Sequence, residues 1–176
     1  KVRLGAQCPA TFVDLASIVH EQRVIKDDYE LDLMERAGQI SVAAHRAAMT
    51  AGRPGSSEHE LEGLIEGEFR KAGAQRFAYP SIVAAGSNGC VLHYHNNDTR
   101  IEDGDLLLID AGCEYAGYAS DITVTWPASG RFSDPQRRVY EAVLRVQQEV
   151  VDAVRPGSTF NQLNTMACRG LLREMK

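Results

Sequence analysis

Between Asp27 and Gly52, Leu33, Ala37, Ile40, Ala44 and Ala47 recur at steps of three and four, the spacing that gathers side chains on one face of a helix. Asp27 followed by Glu30 is a capping-box pattern, and Gly52 with Pro54 stops the helix. Ser57 with Glu60 opens a second helix, whose apolar face is Leu61, Leu64, Ile65 and Phe69 and whose end is Gly73. The period then changes. Residues 82–85 form a short apolar run, Asn88-Gly89 is a turn signal, residues 90–94 read as a strand, and Asp103-Gly104 marks another turn. Residues 106–109 are continuously apolar, as in a strand covered on both faces. Ile122, Val124 and Trp126 alternate with Asp121, Thr123 and Thr125, which predicts a half-buried strand. Helical spacing returns with Val139, Val143, Val146, Val150 and Val154, behind Asp134 as N-cap and Pro135 at the first helical position. Thr159 with Gln162 caps a last helix bearing Leu163, Met166, Ala167 and Leu171. Ahead of all this, Phe12, Leu15, Ile18 and Val19 have helical spacing and Val24-Ile25 reads as an extended exit. Residues 1–25 are therefore expected to be the end of an upstream domain and a linker, with the domain proper at 26–176.

The order of elements predicts an α/β (α+β) domain. A short repeat sharpens this. Arg53-Pro54-Gly55-Ser56 recurs as Arg155-Pro156-Gly157-Ser158, and each copy follows a long helix and precedes a capped one. Two ordinary helical hairpins would explain four shared letters. A duplicated helix–helix–strand unit, with the second copy cut before its strands, explains the context as well.

The chain has 176 residues, the size of one domain or of a piece of a larger one. With 19 basic and 24 acidic residues its net charge is −5, a poor basis for binding nucleic acid. Its longest strongly apolar stretches are about five residues, against the roughly 18 of a membrane span. Cys8, Cys90, Cys113 and Cys168 form no CxxC pair, so neither a structural zinc site nor a disulfide framework is expected. Reduced thiols and a cytoplasmic location follow as the expectation. The chain begins with Lys1 and without an apolar leader, which suggests a fragment whose N-terminus lies upstream.

Two aspartates stand out. Asp110 closes the apolar run at 106–109, where an unpaired carboxylate would be costly. Asp121 opens the next strand. If the intervening segment is a hairpin with a two-residue loop, at Tyr115-Ala116 or Ala116-Gly117, the two carboxylates share a face and lie opposite or diagonal to each other. Like charges so placed repel unless a cation sits between them. A three-residue loop would put them on opposite faces, and two solvated strand ends are an equally good reading of the spacing alone. His93 and His95 would share a strand face and could ligate a metal, although an exposed strand end accounts for them too. His20, His45 and His59 read as surface residues. GxSxG, P-loop, GxGxxG and HExxH motifs are absent.

The segments 88–94, 103–115 and 117–123 closely resemble bacterial aminopeptidase P, the Xaa-Pro aminopeptidases of the pita-bread metallopeptidase family (M24), which also holds prolidase, methionine aminopeptidase and creatinase. Residues 20–26 resemble the linker into that family's catalytic domain. The resemblance implies the first part of a pita-bread fold and, for the intact enzyme, metal-assisted hydrolysis of the bond before proline. It implies that Asp110 and Asp121 ligate two divalent metal ions, manganese in this branch, with Asp121 bridging them. His93 matches the catalytic histidine that positions the substrate and stabilises developing negative charge, and Tyr79 sits where the family has a pocket tyrosine. Peptides with proline at position two are the implied substrates, and a homo-oligomer the implied assembly. The family's remaining ligands, a histidine and two glutamates, have no counterpart before Lys176, so the isolated chain is expected to be inactive, poorly stable and apolar on one exposed face. A prolidase restricted to dipeptides, or a non-catalytic pita-bread domain that binds peptides or proteins, are the competing readings; retention of Asp110, Asp121 and His93 together argues against the latter.

Overall fold

The computed structural model describes residues 11–175. In chain order the elements are α1 (Ala16–Val24), α2 (Asp28–Ala51), α3 (Glu58–Lys71), β1 (Arg76–Phe77), β2 (Ile82–Ala85), a 3-10 turn (Gly86–Cys90), β3 (Leu106–Ala111), β4 (Cys113–Tyr115), β5 (Tyr118–Ala119), β6 (Ile122–Pro127), α4 (Asp134–Asp152) and α5 (Phe160–Glu174). The mixed α/β class expected from the sequence is what is found.

The helix starts are set by local side-chain chemistry. Asp27 accepts from the Glu30 amide at 2.9 Å and Glu30 accepts from the Asp27 amide at 2.8 Å, a reciprocal box that satisfies two otherwise unpaired donors. Ser57 and Thr159 do the same with Glu60 and Gln162. At α4 the cap lies one residue earlier than the Asp134-Pro135 pair suggests. Ser133 is the N-cap because Gln136, three residues on, completes its box, leaving Asp134 within the first turn.

Small residues on α2, namely Ala37, Ala44 and Ala48 with Ile40, let α3 and the strands approach closely, and Leu61, Ile65 and Phe69 fill the space from α3. The main sheet is antiparallel in the order β2-β3-β6. Val83, Ala85, Leu107, Ile109, Ala111 and Trp126 face the helices and complete the core. The opposite face of β3 is only half-covered, Leu108 packing on a small cluster of Ile82, Ala84 and Tyr94. A second antiparallel sheet has the order β1-β4-β5.

One long hairpin joins the two sheets. Its tip is the two-residue loop Ala116-Gly117, both at positive φ (49° and 85°), as a type I′ turn requires. Tyr115 faces Tyr118 at the tip, and Asp110 faces Thr123 further down, so the register runs unbroken from one sheet to the other.

Residues 90–94 are not a strand. Asn88-Gly89 lies inside the 3-10 turn, and the chain then bends with Val91 and Leu92 exposed and His93 at φ 55°. The open edge of β2 is taken instead by a side chain: Asn97 accepts from the Val83 amide at 2.9 Å and donates to the Ser81 carbonyl at 2.8 Å.

The Arg-Pro-Gly-Ser repeat is a structural one. In each copy the serine amide donates to the arginine carbonyl, at 3.1 Å for Ser56 and 2.9 Å for Ser158. In each the arginine amide donates to the serine Oγ, at 3.2 and 3.3 Å, and the glycines have φ 95° and 92°. The two helical hairpins nevertheless differ in burial. Of the α4 stripe only Val146, set against Gly170 of α5, is fully buried, while Val139, Val143 and Val154 are exposed.

Candidate metal centre

Asp110 stands near the end of β3, flanked by Ile82 of β2 and Thr123 of β6. Asp121 immediately precedes β6. With the two-residue loop at Ala116-Gly117 the two aspartates take the diagonal, same-face arrangement, one of the alternatives left open by their spacing. At the crossing point the strands come closer than a side chain allows: a Cβ on Gly112 would lie 1.8 Å from the Ser120 carbonyl oxygen.

The two carboxylates converge on one hydroxyl. Tyr79 donates to Asp110 Oδ1 at 2.6 Å and is also 2.9 Å from Asp121 Oδ1. A single phenol carries one proton, so the two contacts share it. The link from β1 to β2 delivers this tyrosine, because the Ala78 amide donates to the Gly112 carbonyl at 2.8 Å and pins the link against the hairpin. Burial, then the bonds to Asp110 and Asp121, drive the Tyr79 phenol far above its ordinary value. It therefore keeps its proton near neutral pH and acts as a donor.

Helix α2 holds the hairpin on either side of the aspartates. His45 Nε2 donates to the Ala111 carbonyl at 3.0 Å, next to Asp110. The Cys113 amide donates to Ser41 Oγ at 3.2 Å, and Ser41 Oγ is 2.7 Å from Ser120 Oγ, next to Asp121. His45 is thus buried and not a surface residue, and among the described residues its Nδ1 has no partner. His20 and His59 are exposed, as expected. The described cysteines 90, 113 and 168 are free.

His93 is exposed, and its ring stacks on His95 with centroids 6.4 Å apart. The two rings do share a side, through a turn and not through strand alternation. Among the described residues, no hydrogen bond joins His93 to Tyr79, Asp110 or Asp121. Two residues that the sequence does not single out, Glu58 and Asn97, fix the segment carrying it.

Asp110 and Asp121 fit a hard divalent cation. Both offer carboxylate oxygens, the donor type such ions take, and both Oδ1 atoms lie within hydrogen-bond distance of one point. Among the described residues no group of three or more His, Cys, Asp or Glu is placed to hold a metal ion, so the pair forms part of a coordination set. Replacing Tyr79 with Phe removes the donor that orients both carboxylates. The expected result is a loss of metal affinity of about 10- to 100-fold, as for other groups that orient metal ligands, measured by titrating the metal-stripped full-length protein.

The arrangement of helices and sheets is that of the pita-bread fold. The chain belongs to metallopeptidase family M24, whose model matches residues 32–175. It is 45% identical over 164 residues to an Xaa-Pro aminopeptidase of Escherichia coli, covering 91% of this chain and 37% of that protein. Among solved structures, it superposes on Pseudomonas aeruginosa aminopeptidase PepP with a TM-score of 0.91 and 48% identity, over 98% of this chain and 39% of that one. A zinc-substituted E. coli aminopeptidase P in complex with product gives 0.90 and 43%, over 95% and 38%. The chain thus spans well under half the length of these relatives.

Proposed function

We propose that the protein is an Xaa-Pro aminopeptidase, a metal-dependent enzyme that releases an N-terminal residue from a peptide with proline at position two. The observation that supports this most is the convergence of Asp110 and Asp121 on Tyr79, in an M24 chain similar to such enzymes. Residues 26–176 would form the first part of the catalytic domain, with the remaining metal ligands supplied from outside them. Two divalent ions, with manganese the metal proposed from the resemblance, would lower the pKa of bound water and make hydroxide available near neutral pH.

This chain's residues have distinct tasks in that reading. Asp110 and Asp121 hold the ions from one side. Tyr79 retains its phenolic proton and orients the carboxylates that line the substrate pocket. His93, exposed on its turn, is free to donate a hydrogen bond from its ring to the oxygen that gains charge as the carbonyl before proline is attacked. The cytoplasm is the proposed location and a homo-oligomer the proposed assembly; no helix among the described residues is long and apolar enough to cross a membrane.

The test is substrate length. Full-length protein loaded with manganese is given a pentapeptide with proline at position two and, separately, an Xaa-Pro dipeptide. Release of the first residue from the pentapeptide supports the proposal. Cleavage of the dipeptide alone would make the enzyme a prolidase, and cleavage of neither would leave a peptide- or protein-binding domain.

A further inference from the structure

Glu58 lies at the first position of α3 and is completely buried. Among the described residues, the four groups that donate to its carboxylate all belong to one stretch of chain. Oε1 accepts from the Ala85 amide at 2.7 Å and from Asn88 Nδ2 at 2.9 Å, and Oε2 accepts from the Tyr94 hydroxyl at 2.8 Å and the Thr99 amide at 2.9 Å. Among the described residues no Lys, Arg or His forms an ion pair with it. A carboxylate withdrawn from water without a cation is a costly arrangement, and here it is held only by donors from residues 85–99.

Beyond Ala85, the last residue of β2, that stretch contains no strand. It consists of the 3-10 turn, the bend at His93 and an irregular return, with His93 and Asn97 both at positive φ. Its shape therefore has to come from side chains. Asn97 ties its second half to β2. Glu58 ties its beginning, middle and end to α3, whose own position is fixed by Leu61, Ile65 and Phe69 in the core. Tyr94 follows His93 directly, and its ring is buried against Ile82 and Ala84. The core thus reaches the exposed histidine through α3, the Glu58 carboxylate and the Tyr94 hydroxyl.

We propose that Glu58 is a positioning residue for His93: by gathering Ala85, Asn88, Tyr94 and Thr99 on one carboxylate it holds the turn that presents the imidazole to the substrate. The proposal rests on the catalytic reading of His93 given above. It makes a distinctive demand. Removing Glu58 should impair turnover only through His93.

The experiment uses full-length, metal-loaded protein and a pentapeptide with proline at position two. Glu58→Gln places an amide NH2 against a backbone or hydroxyl donor. It is expected to lower kcat by about 10- to 100-fold, by analogy with groups that orient metal ligands, with KM changed by less than about twofold. In a His93→Ala background the same substitution should lower kcat no further, because interacting residues are non-additive. Tyr94→Phe, which deletes one hydroxyl and keeps the ring, should show the same pattern with a smaller drop, and it serves if Glu58→Gln does not fold. Hydrogen exchange of residues 86–99 should accelerate in both variants while the core amides of α2 exchange as in the wild type.

Unchanged kcat in both variants, or a loss that multiplies with that of His93→Ala, overturns the proposal. Wild-type kcat in His93→Ala itself also overturns it, through the role of His93. Absence of turnover by the wild type would sink the aminopeptidase reading instead. Hydrogen exchange then still decides whether Glu58 fixes the His93 segment, and unchanged exchange there overturns that claim on its own.

Discussion

Gly112→Ala is expected to destabilise the full-length protein by more than about 3 kcal/mol, the upper end of ordinary overpacking. The added Cβ would meet the Ser120 carbonyl oxygen at 1.8 Å, its carbon at 2.6 Å and the Asp121 amide nitrogen at 3.2 Å. All three are backbone atoms, so no rotamer change relieves the contact and the two halves of the hairpin must move apart. Domains are stable by only about 5–15 kcal/mol in total, so this one methyl removes a large share. The separation would also break the register between Asp110 and Asp121, and metal affinity should fall together with the denaturation midpoint. A variant with the wild-type midpoint would show that the strands do not approach as described.

Asp121→Asn is expected to abolish turnover while leaving the fold intact. Asp121 is exposed before β6 and carries little of the core. An amide of the same shape keeps one oxygen for Tyr79 but loses the negative charge that a divalent ion requires. The loss of activity should exceed the roughly 10- to 100-fold that removal of a group orienting a metal ligand costs, since the proposed ligand itself is lost. Metal content and turnover are measured on the same sample, with the unfolding midpoint as control. Full metal content together with full turnover would remove Asp121 from the site.

The parts legible in the sequence are those that neighbouring residues determine. Capping boxes at Asp27, Ser57 and Thr159 are closed by a side chain three residues away, and the α2 stripe follows from helical spacing alone. The sequence allows a two- or three-residue loop, and the positive φ of Ala116 and Gly117 selects the two-residue one. What was illegible depends on partners distant along the chain. Val91, Leu92 and Tyr94 imitate a strand, but the edge they would pair with is occupied by Asn97. Glu58 is not singled out by any pattern in the sequence, and His45 reads as a surface residue. Both are buried because donors from residues 85–99 and the carbonyl of Ala111 happen to meet them in space. The resemblance to a known family placed Asp110, Asp121 and Tyr79 in one site, and their hydrogen bonds supply the geometry that spacing alone left undecided.

One measurement decides whether the aspartate pair serves metal-dependent release of a residue before proline. Full-length protein is stripped of metal with a chelator, and release of the first residue from a pentapeptide with proline at position two is followed before and after manganese is restored. This role requires no release from the stripped protein and recovery with manganese. Undiminished release from metal-free protein, or no release after manganese is restored, would contradict it.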